Sequence, residues 1–146
     1  MSTIKLHRVF KTAPDKIYRA FLNADALAKW LPPNGFTCKV HQLNAVAGGS
    51  YKMSFTNFTT GKNQPFGGKY LELEPGKHIR YTDKFDEPNM PGEIITTVSI
   101  KKVSCGSDVS IVQEAVPDAI PPEMCYLGWQ ESLDQLAKLV EPEIPD

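Results

Sequence analysis

The chain has 146 residues, with 16 Lys and Arg against 17 Asp and Glu, and a formal net charge of −1. A chain of this length is expected to form one domain, 1–146, that buries enough surface to fold without disulfides or a metal. Its near-neutral charge argues against nucleic-acid binding, which depends on many Lys and Arg contacts to phosphate. No apolar stretch reaches the roughly 20 residues that cross a bilayer, so no membrane insertion is expected.

The cysteines and histidines favour neither a disulfide framework nor a metal site. The three cysteines are far apart and contain no C-x-x-C pair, and the histidines show no zinc-type spacing. The start of the chain has no continuous apolar run of the secretory kind. We therefore expect a cytoplasmic protein with no cofactor and no metal. The cysteines are Cys38, Cys105 and Cys125, and the histidines are His7, His41 and His78.

The first part of the chain predicts one strand and two short helices. Thr3–Phe10 alternates apolar and polar residues, as a half-buried strand does. Thr12 is a candidate helix cap and Pro14 suits the first turn that follows it. A second helix is predicted over Ala24–Leu31, and Pro32 ends it because proline cannot donate to the helical ladder.

From Phe36 onward the apolar period changes to two, which indicates an antiparallel meander with one packed face. Asp86–Gly92, which contains Pro88 and Pro91, is predicted to be a loop within it. The predicted strands are Thr37–Asn44, Ser50–Phe58, Phe66–Leu73, His78–Phe85, Glu93–Val103 and Asp108–Glu114.

After Pro122 the period becomes helical again, and one apolar stripe runs to Val140. A run of strands followed by a terminal helix is typical of an α+β fold. The elements predict a curved antiparallel sheet of six to seven strands wrapped around a long C-terminal helix, with the two short helices covering one end. A curved sheet cannot follow a straight helix along its whole length, so we expect a cavity between them near one mouth.

The alternation also predicts which side chains face that cavity. Most inward aliphatic side chains are expected to be plain core. Trp30, Tyr81, Gln113 and Trp129 carry polar groups that need partners when buried, and a ligand would supply them. The predicted ligand-binding residues are Trp30, Phe36, Met53, Phe55, Tyr81, Phe85, Thr96, Gln113, Met124, Tyr126 and Trp129.

No residue is assigned a catalytic role. Asp83 shares the inward phase of Tyr81, but the charged turn beside it favours a solvated hairpin end. Glu114 is expected to face solvent, and His41 has no evident partner. Cys125 lies near a helix start, where a thiol pKa is lowered, but no neighbouring base supports a nucleophilic role.

Several pieces of the chain together resemble a known family. APDKIYRAFLNADALAKWLPP near the start, Gly48-Gly49 before Tyr51, YLELEPGKHIRYTDKF after Gly68, and Gly128-Trp129 with Leu133 and Leu136 occur in the family's order. The chain resembles the activator-of-heat-shock-ATPase homologue family, within the SRPBCC (START and birch-pollen-allergen-like) superfamily. The resemblance implies the helix-grip fold around a cavity. The relatives that it implies include lipid carriers, polyketide cyclases, stress-response binders and a co-chaperone domain.

Three functions stay open on the sequence alone. The favoured one is a binding protein for a small hydrophobic or amphipathic molecule, as a monomer or weak homodimer. The second is a cyclase- or hydrolase-type enzyme that uses the same cavity, although an enzyme is the less favoured reading. The lining of the cavity distinguishes the binding protein from the enzyme. An ionisable group with a shifted pKa favours catalysis, and a neutral lining favours carriage. The third is an interaction module associated with a chaperone ATPase.

Overall fold

The structure is a computed structural model that describes residues 1–87 and 92–146. Its elements follow the predicted order of one strand, two short helices, a run of strands and a long helix. Part of the predicted loop Asp86–Gly92, residues 88–91, lies outside the described residues. The elements are β1 (Ser2–Phe10), α1 (Pro14–Leu22), α2 (Ala24–Trp30), β2 (Phe36–Leu43), β3 (Ser50–Asn57), β4 (Asn63–Glu74), β5 (His78–Phe85), β6 (Ile94–Val103), β7 (Gly106–Val116) and α3 (Pro122–Val140).

The strands of the described residues form one sheet of seven, in the order β1-β7-β6-β5-β4-β3-β2. Each neighbouring pair is antiparallel, so the α+β class and the helix-grip arrangement are confirmed. The register shifts within the β1–β7, β2–β3 and β4–β5 pairs. Such irregularities bend strands and increase their twist, which is how a sheet of this size curves around one helix.

Two strands are longer than their sequence pattern indicates. β4 begins at Asn63 rather than at Phe66, although the intervening Pro65 argues against a strand. Pro65 pairs with Ser54 of β3, and its carbonyl accepts a hydrogen bond from the backbone N–H of Asp86 at 3.2 Å. β7 extends from Gly106 to Val116, beyond the alternating segment at both ends.

The two short helices begin at different caps. The N-cap of α1 is Ala13, so the expectation that Thr12 caps this helix is wrong. The Thr12 carbonyl instead accepts a hydrogen bond from the Ser107 hydroxyl at 2.7 Å. In α2 the cap is Asn23, whose Oδ1 accepts from the Ala26 N–H at 2.9 Å. The first bond ties the segment before α1 to β7, and the second closes the first turn of α2.

The core lies between the inner face of the sheet and α3. Along α3, residues at three- and four-residue steps are buried, including Trp129, Leu133, Leu136 and Val140. The apolar side chains of the sheet are equally well covered, and they include Phe10, Val98, Ile100, Val109 and Ile111. Within the described part of the chain, no helix is long and apolar enough to cross a membrane.

Candidate functional site: an aromatic cavity with one carboxyl group

A cavity of about 280 Å³ lies between the sheet and the first half of α3. α2 and the prolines that follow it close one end of this space. Most of the cavity wall is apolar, as is usual for a small-molecule site. The wall consists of Phe21, Leu27, Leu31, Pro33, Tyr51, Met53, Phe55, Phe66, Tyr70, Tyr81, Asp83, Phe85, Ile94, Gln113, Ile120, Met124, Cys125, Gly128, Trp129 and Ser132.

Three tyrosines from adjacent strands form one contiguous part of this wall. The ring centroids of Tyr51 and Tyr70 are 5.5 Å apart, and those of Tyr51 and Tyr81 are 6.1 Å apart. Tyr70 and Tyr81 complete the triangle at 6.3 Å. Tyr70 and Tyr81 pair directly across β4 and β5, and Tyr51 of β3 pairs with Gly68, two residues before Tyr70. We call these three residues the tyrosine cluster.

A local break in the sheet positions the first of these tyrosines. All residues of β4 and β5 are described, and two pairs are missing from the ladder between these strands. They are Gly68 with Asp83 and Lys69 with Thr82. The Lys69 N–H donates to Thr82 Oγ1 at 3.0 Å, and the Thr82 carbonyl accepts from the Tyr51 hydroxyl at 2.7 Å. A side chain at position 68 would collide with the Thr82 backbone, so only glycine allows this approach.

Asp83 is the acidic group in the cavity wall. Protein surrounds its carboxyl group, and the residue keeps part of its surface exposed towards the cavity. Its hydrogen-bond partners are the hydroxyls of Tyr51 and Thr96. Burial raises the pKa of Asp83 to about 6, because a charged carboxylate loses its hydration there, while these two hydrogen bonds lower it.

The same burial keeps the tyrosine hydroxyls protonated. The pKa values of Tyr51 and Tyr81 are raised well above their usual value, first by burial and then by the charge of Asp83. The same two causes raise the pKa of Tyr70 to about 12. All three phenols therefore act as neutral hydrogen-bond donors at physiological pH.

The Tyr51 hydroxyl has one proton and two acceptors. It lies against both the Thr82 carbonyl and Asp83 Oδ1. When Asp83 is ionised, the two acceptors compete for that proton. When Asp83 is protonated, it donates to Tyr51, and Tyr51 donates to Thr82, so that every group is satisfied. The site therefore has two distinct proton arrangements.

Uncharged polar groups complete the lining. Gln113 Nε2 donates to Thr96 Oγ1 at 3.1 Å, directly behind the carboxyl group. The Ser132 hydroxyl is used by the protein itself, because it donates to the Leu31 carbonyl at 2.6 Å and ties α3 to α2. Burial raises the pKa of the Cys125 thiol, which therefore stays protonated and is a poor nucleophile.

Seven of the eleven residues predicted to bind a ligand lie in the cavity wall. They come from β3, β5, β7 and α3, so the alternation in each element correctly indicated its inward face. Their role in binding stays a prediction. The seven are Met53, Phe55, Tyr81, Phe85, Gln113, Met124 and Trp129.

The other four lie outside this wall. Trp30 is fully buried in the core, and its indole N–H donates to the Ala20 carbonyl at 2.9 Å rather than to a ligand. Phe36 packs behind Phe55, with ring centroids 6.4 Å apart. Thr96 is covered completely and supports Asp83 from behind. The Tyr126 hydroxyl accepts from the backbone N–H of Lys5 at 3.2 Å, on the β1 side of α3.

The expectation that Asp83 is solvated is wrong. Its inward phase with Tyr81 and Phe85 was the informative signal, and the neighbouring charges of Lys84 and Asp86 were misleading because those residues are exposed. Tyr51 and Tyr70 are site residues that the sequence analysis did not predict. Tyr51 pairs with Gly68 across β3 and β4, and no local sequence pattern indicated this pairing.

The described residues contain no group of three His, Cys, Asp or Glu side chains that could hold a metal ion. All three cysteines are free. The polar groups that line the cavity include Asp83, the tyrosine cluster, Gln113 and Ser132.

Known protein structures share the fold of this chain. The structure matches a crystal structure from Chromobacterium violaceum with a TM-score of 0.95, 61% identity, and coverage of 97% of this chain and 98% of that one. A Rhodobacter sphaeroides protein shares the fold at a TM-score of 0.82 and 19% identity, over 94% and 91% of the two chains. The AHSA1 protein from Silicibacter pomeroyi also has a TM-score of 0.82 and 19% identity, over 94% and 96%.

The family follows from the sequence itself. Residues 11–141 match the family described as Activator of Hsp90 ATPase homolog 1-like protein. The chain belongs to this family, as its resemblance predicted. No curated protein matches the chain.

Proposed function

We propose that this protein binds a small, mostly apolar molecule between the sheet and α3. The observation that carries the proposal is the cavity of about 280 Å³, whose wall is built mainly from aromatic and aliphatic side chains. Apolar walls supply affinity, and a few polar groups orient the bound molecule. Those groups are the tyrosine cluster, Asp83 and Gln113. The free cysteines are compatible with a reducing cytoplasm.

The cavity can be filled from the helix without touching its polar groups. Cys125, Gly128 and Ser132 follow one another at helical spacing along the wall, and a Cβ at Gly128 meets no atom within 4 Å. We expect Gly128→Leu to occupy part of the cavity while the protein remains folded. Gln130→Leu is the matched control, because it adds the same side chain to an exposed position of α3.

The probe is N-phenyl-1-naphthylamine, a neutral molecule whose fluorescence rises in apolar surroundings. The unmodified protein and Gln130→Leu should bind it with 1:1 stoichiometry, and Gly128→Leu should weaken this binding by at least about tenfold, the effect of losing roughly 1.4 kcal/mol of contact. Equal binding by all three proteins, or no binding by the unmodified protein, would contradict the proposal.

A second candidate function is proton transfer to or from a bound molecule, because Asp83 is an ionisable group of the cavity wall with a shifted pKa, the feature that favours catalysis over carriage. A carboxyl group whose pKa lies near 6 can accept a proton at neutral pH, and phenols beside it can stabilise an oxyanion. Abstraction of a proton next to a ketone carbonyl is the simplest reaction of this kind. Exchange of the α-hydrogens of 2-tetralone with deuterium oxide, lost in Asp83→Asn, would support it, and equal exchange in both proteins would exclude it.

A further inference from the structure

The charge of Asp83 has no partner in the wall around it. Among the described residues that line the cavity, none is Lys, Arg or His. The hydrogen bonds to Asp83 come from the uncharged hydroxyls of Tyr51 and Thr96. Lys84 follows it in sequence but is exposed, since successive side chains of a strand point to opposite faces.

An uncompensated carboxylate in an apolar cavity is unfavourable for the free protein. Removing an ion from water costs several kcal/mol unless a counter-charge and hydrogen bonds replace the lost hydration. The two hydroxyls replace part of this hydration but supply no charge. A bound cation would supply that charge, and its attraction to the carboxylate would be stronger in this apolar surrounding than in water.

The aromatic wall beside Asp83 suits a cation attached to an apolar body. The tyrosine cluster and Trp129 line the same cavity as the carboxyl group. The face of an aromatic ring attracts a positive charge, and this attraction grows when water is excluded. The remaining wall, which includes Phe66 and Phe85, suits a ring or an alkyl chain. An anion would instead meet the negative charge of Asp83.

We propose that the ligand is an organic amine cation, in which an ammonium group pairs with Asp83 beside the tyrosine cluster and an apolar ring or chain fills the rest of the cavity. This inference rests on the proposed binding function and names the chemical class of its ligand. It assigns Asp83 the role of the residue that determines specificity.

Three indole compounds of nearly equal shape test the charge directly. They are tryptamine, a cation, indole-3-ethanol, which is neutral, and indole-3-acetate, an anion. At pH 8, calorimetric titration of the unmodified protein should show tryptamine binding about 10- to 100-fold more tightly than indole-3-ethanol, the effect of a hydrogen bond to a charged group. Indole-3-acetate should bind most weakly.

The pH dependence provides a test that needs no variant. The titratable side chains facing the carboxyl group are Tyr51 on β3, Tyr70 on β4 and Tyr81 on β5, and Cys125 lies across the cavity on α3. Their pKa values are all raised, so they remain protonated between pH 5 and pH 8. Asp83 is the group that gains a proton in this range, so the preference for tryptamine should shrink at pH 5.

Asp83→Asn should remove the preference at pH 8 and change binding of indole-3-ethanol by less than about threefold, since the shape of the site is kept. Asp86→Asn removes one exposed charge just after β5 and should keep the preference. Equal binding of tryptamine and indole-3-ethanol, or a preference that survives Asp83→Asn, would overturn the amine assignment. If N-phenyl-1-naphthylamine binds and tryptamine does not, the assignment fails while the cavity proposal stands. If no probe binds, both fail.

Discussion

The two ends of the space between the sheet and α3 share the same scaffold but differ in how it is filled. At the packed end, branched and aliphatic side chains such as Leu136, Val140, Val109 and Ile100 are almost completely buried. At the hollow end, large flat rings line a cavity of about 280 Å³. The first half of α3 thus borders a binding site and its second half borders a solid core.

The side chains add to the effect of the curved sheet. Aliphatic side chains adjust their rotamers and interdigitate to the density of a crystal. Rings are stiffer, and the ring of Tyr51 is also held at its polar end, because its hydroxyl bonds to the Thr82 carbonyl on the far side of β4. This anchor opposes collapse of Tyr51 into the hollow end.

The largest expected effect compares one truncation at each end. Leu136→Ala should lower the free energy of unfolding by about 3–5 kcal/mol, because it opens a new void among fully buried neighbours. Met53→Ala should cost less, about 2 kcal/mol, because Met53 is buried but borders the cavity, so the truncation enlarges an existing space instead of opening a new void. Urea denaturation at pH 8 measures both values. Equal losses would show that the two ends are packed alike.

The next effect concerns the burial of charge at the hollow end. The pKa of Asp83 is about 6 in the folded protein, against 3.8 for a free carboxyl group, so the folded state binds the proton more tightly. The resulting penalty on stability is fully present above about pH 6 and disappears as the pH falls towards about pH 4. Asp83→Asn should therefore be more stable than the unmodified protein by about 1–3 kcal/mol at pH 8.

Denaturation of both proteins between pH 3 and pH 8 checks this prediction. The difference between them should shrink as the pH falls from about 6 and vanish only below about pH 3.8, where Asp83 carries a proton in both the folded and the unfolded state. Asp86→Asn is the control, and its effect should stay below about 0.5 kcal/mol throughout, as for ordinary surface substitutions. A stability difference for Asp83→Asn that does not change with pH would mean that the carboxyl group is solvated.

The smallest effect tests the anchor that keeps the wall in place. Tyr51→Phe leaves the Thr82 carbonyl without its 2.7 Å hydrogen bond and should cost about 1–2 kcal/mol. It should also raise the pKa of Asp83 further, since the Tyr51 hydroxyl lowers it. Carbon-13 NMR of the carboxyl group measures that pKa. Tyr18→Phe, at a half-buried position of α1, should leave the pKa unchanged, and an unchanged pKa in Tyr51→Phe would contradict the assigned hydrogen bond.

Much of the fold could be predicted from the sequence, because its signals are local. Period-two and helical spacing located the elements, and the inward phase of each strand placed Met53, Phe55, Tyr81 and Phe85 correctly. Helix caps were less predictable, since Ala13 replaces Thr12 as the cap of α1. The family resemblance agreed with the architecture at each point where the two overlap.

The polar part of the site was not predictable in the same way, because it depends on contacts between distant strands. Trp30 finds its partner in the Ala20 carbonyl, which no spacing rule indicates. The environment of Asp83 arises where the β4–β5 ladder opens opposite Gly68, and this break is a property of pairing rather than of either strand. The residues next to Asp83 in sequence indicated only the exposed face of β5. The face that bears the site is completed by residues distant in sequence.

The polar groups and the open space of this site come from different elements. Asp83 and the tyrosine cluster belong to the sheet, while Met124, Gly128 and Trp129 of α3 limit the room available. Substitutions along one turn of helix could thus alter which molecules are accepted without disturbing proton affinity on the opposite wall. The size and the charge of the accepted molecule could therefore change independently, during divergence among descendants of such a protein or in deliberate redesign.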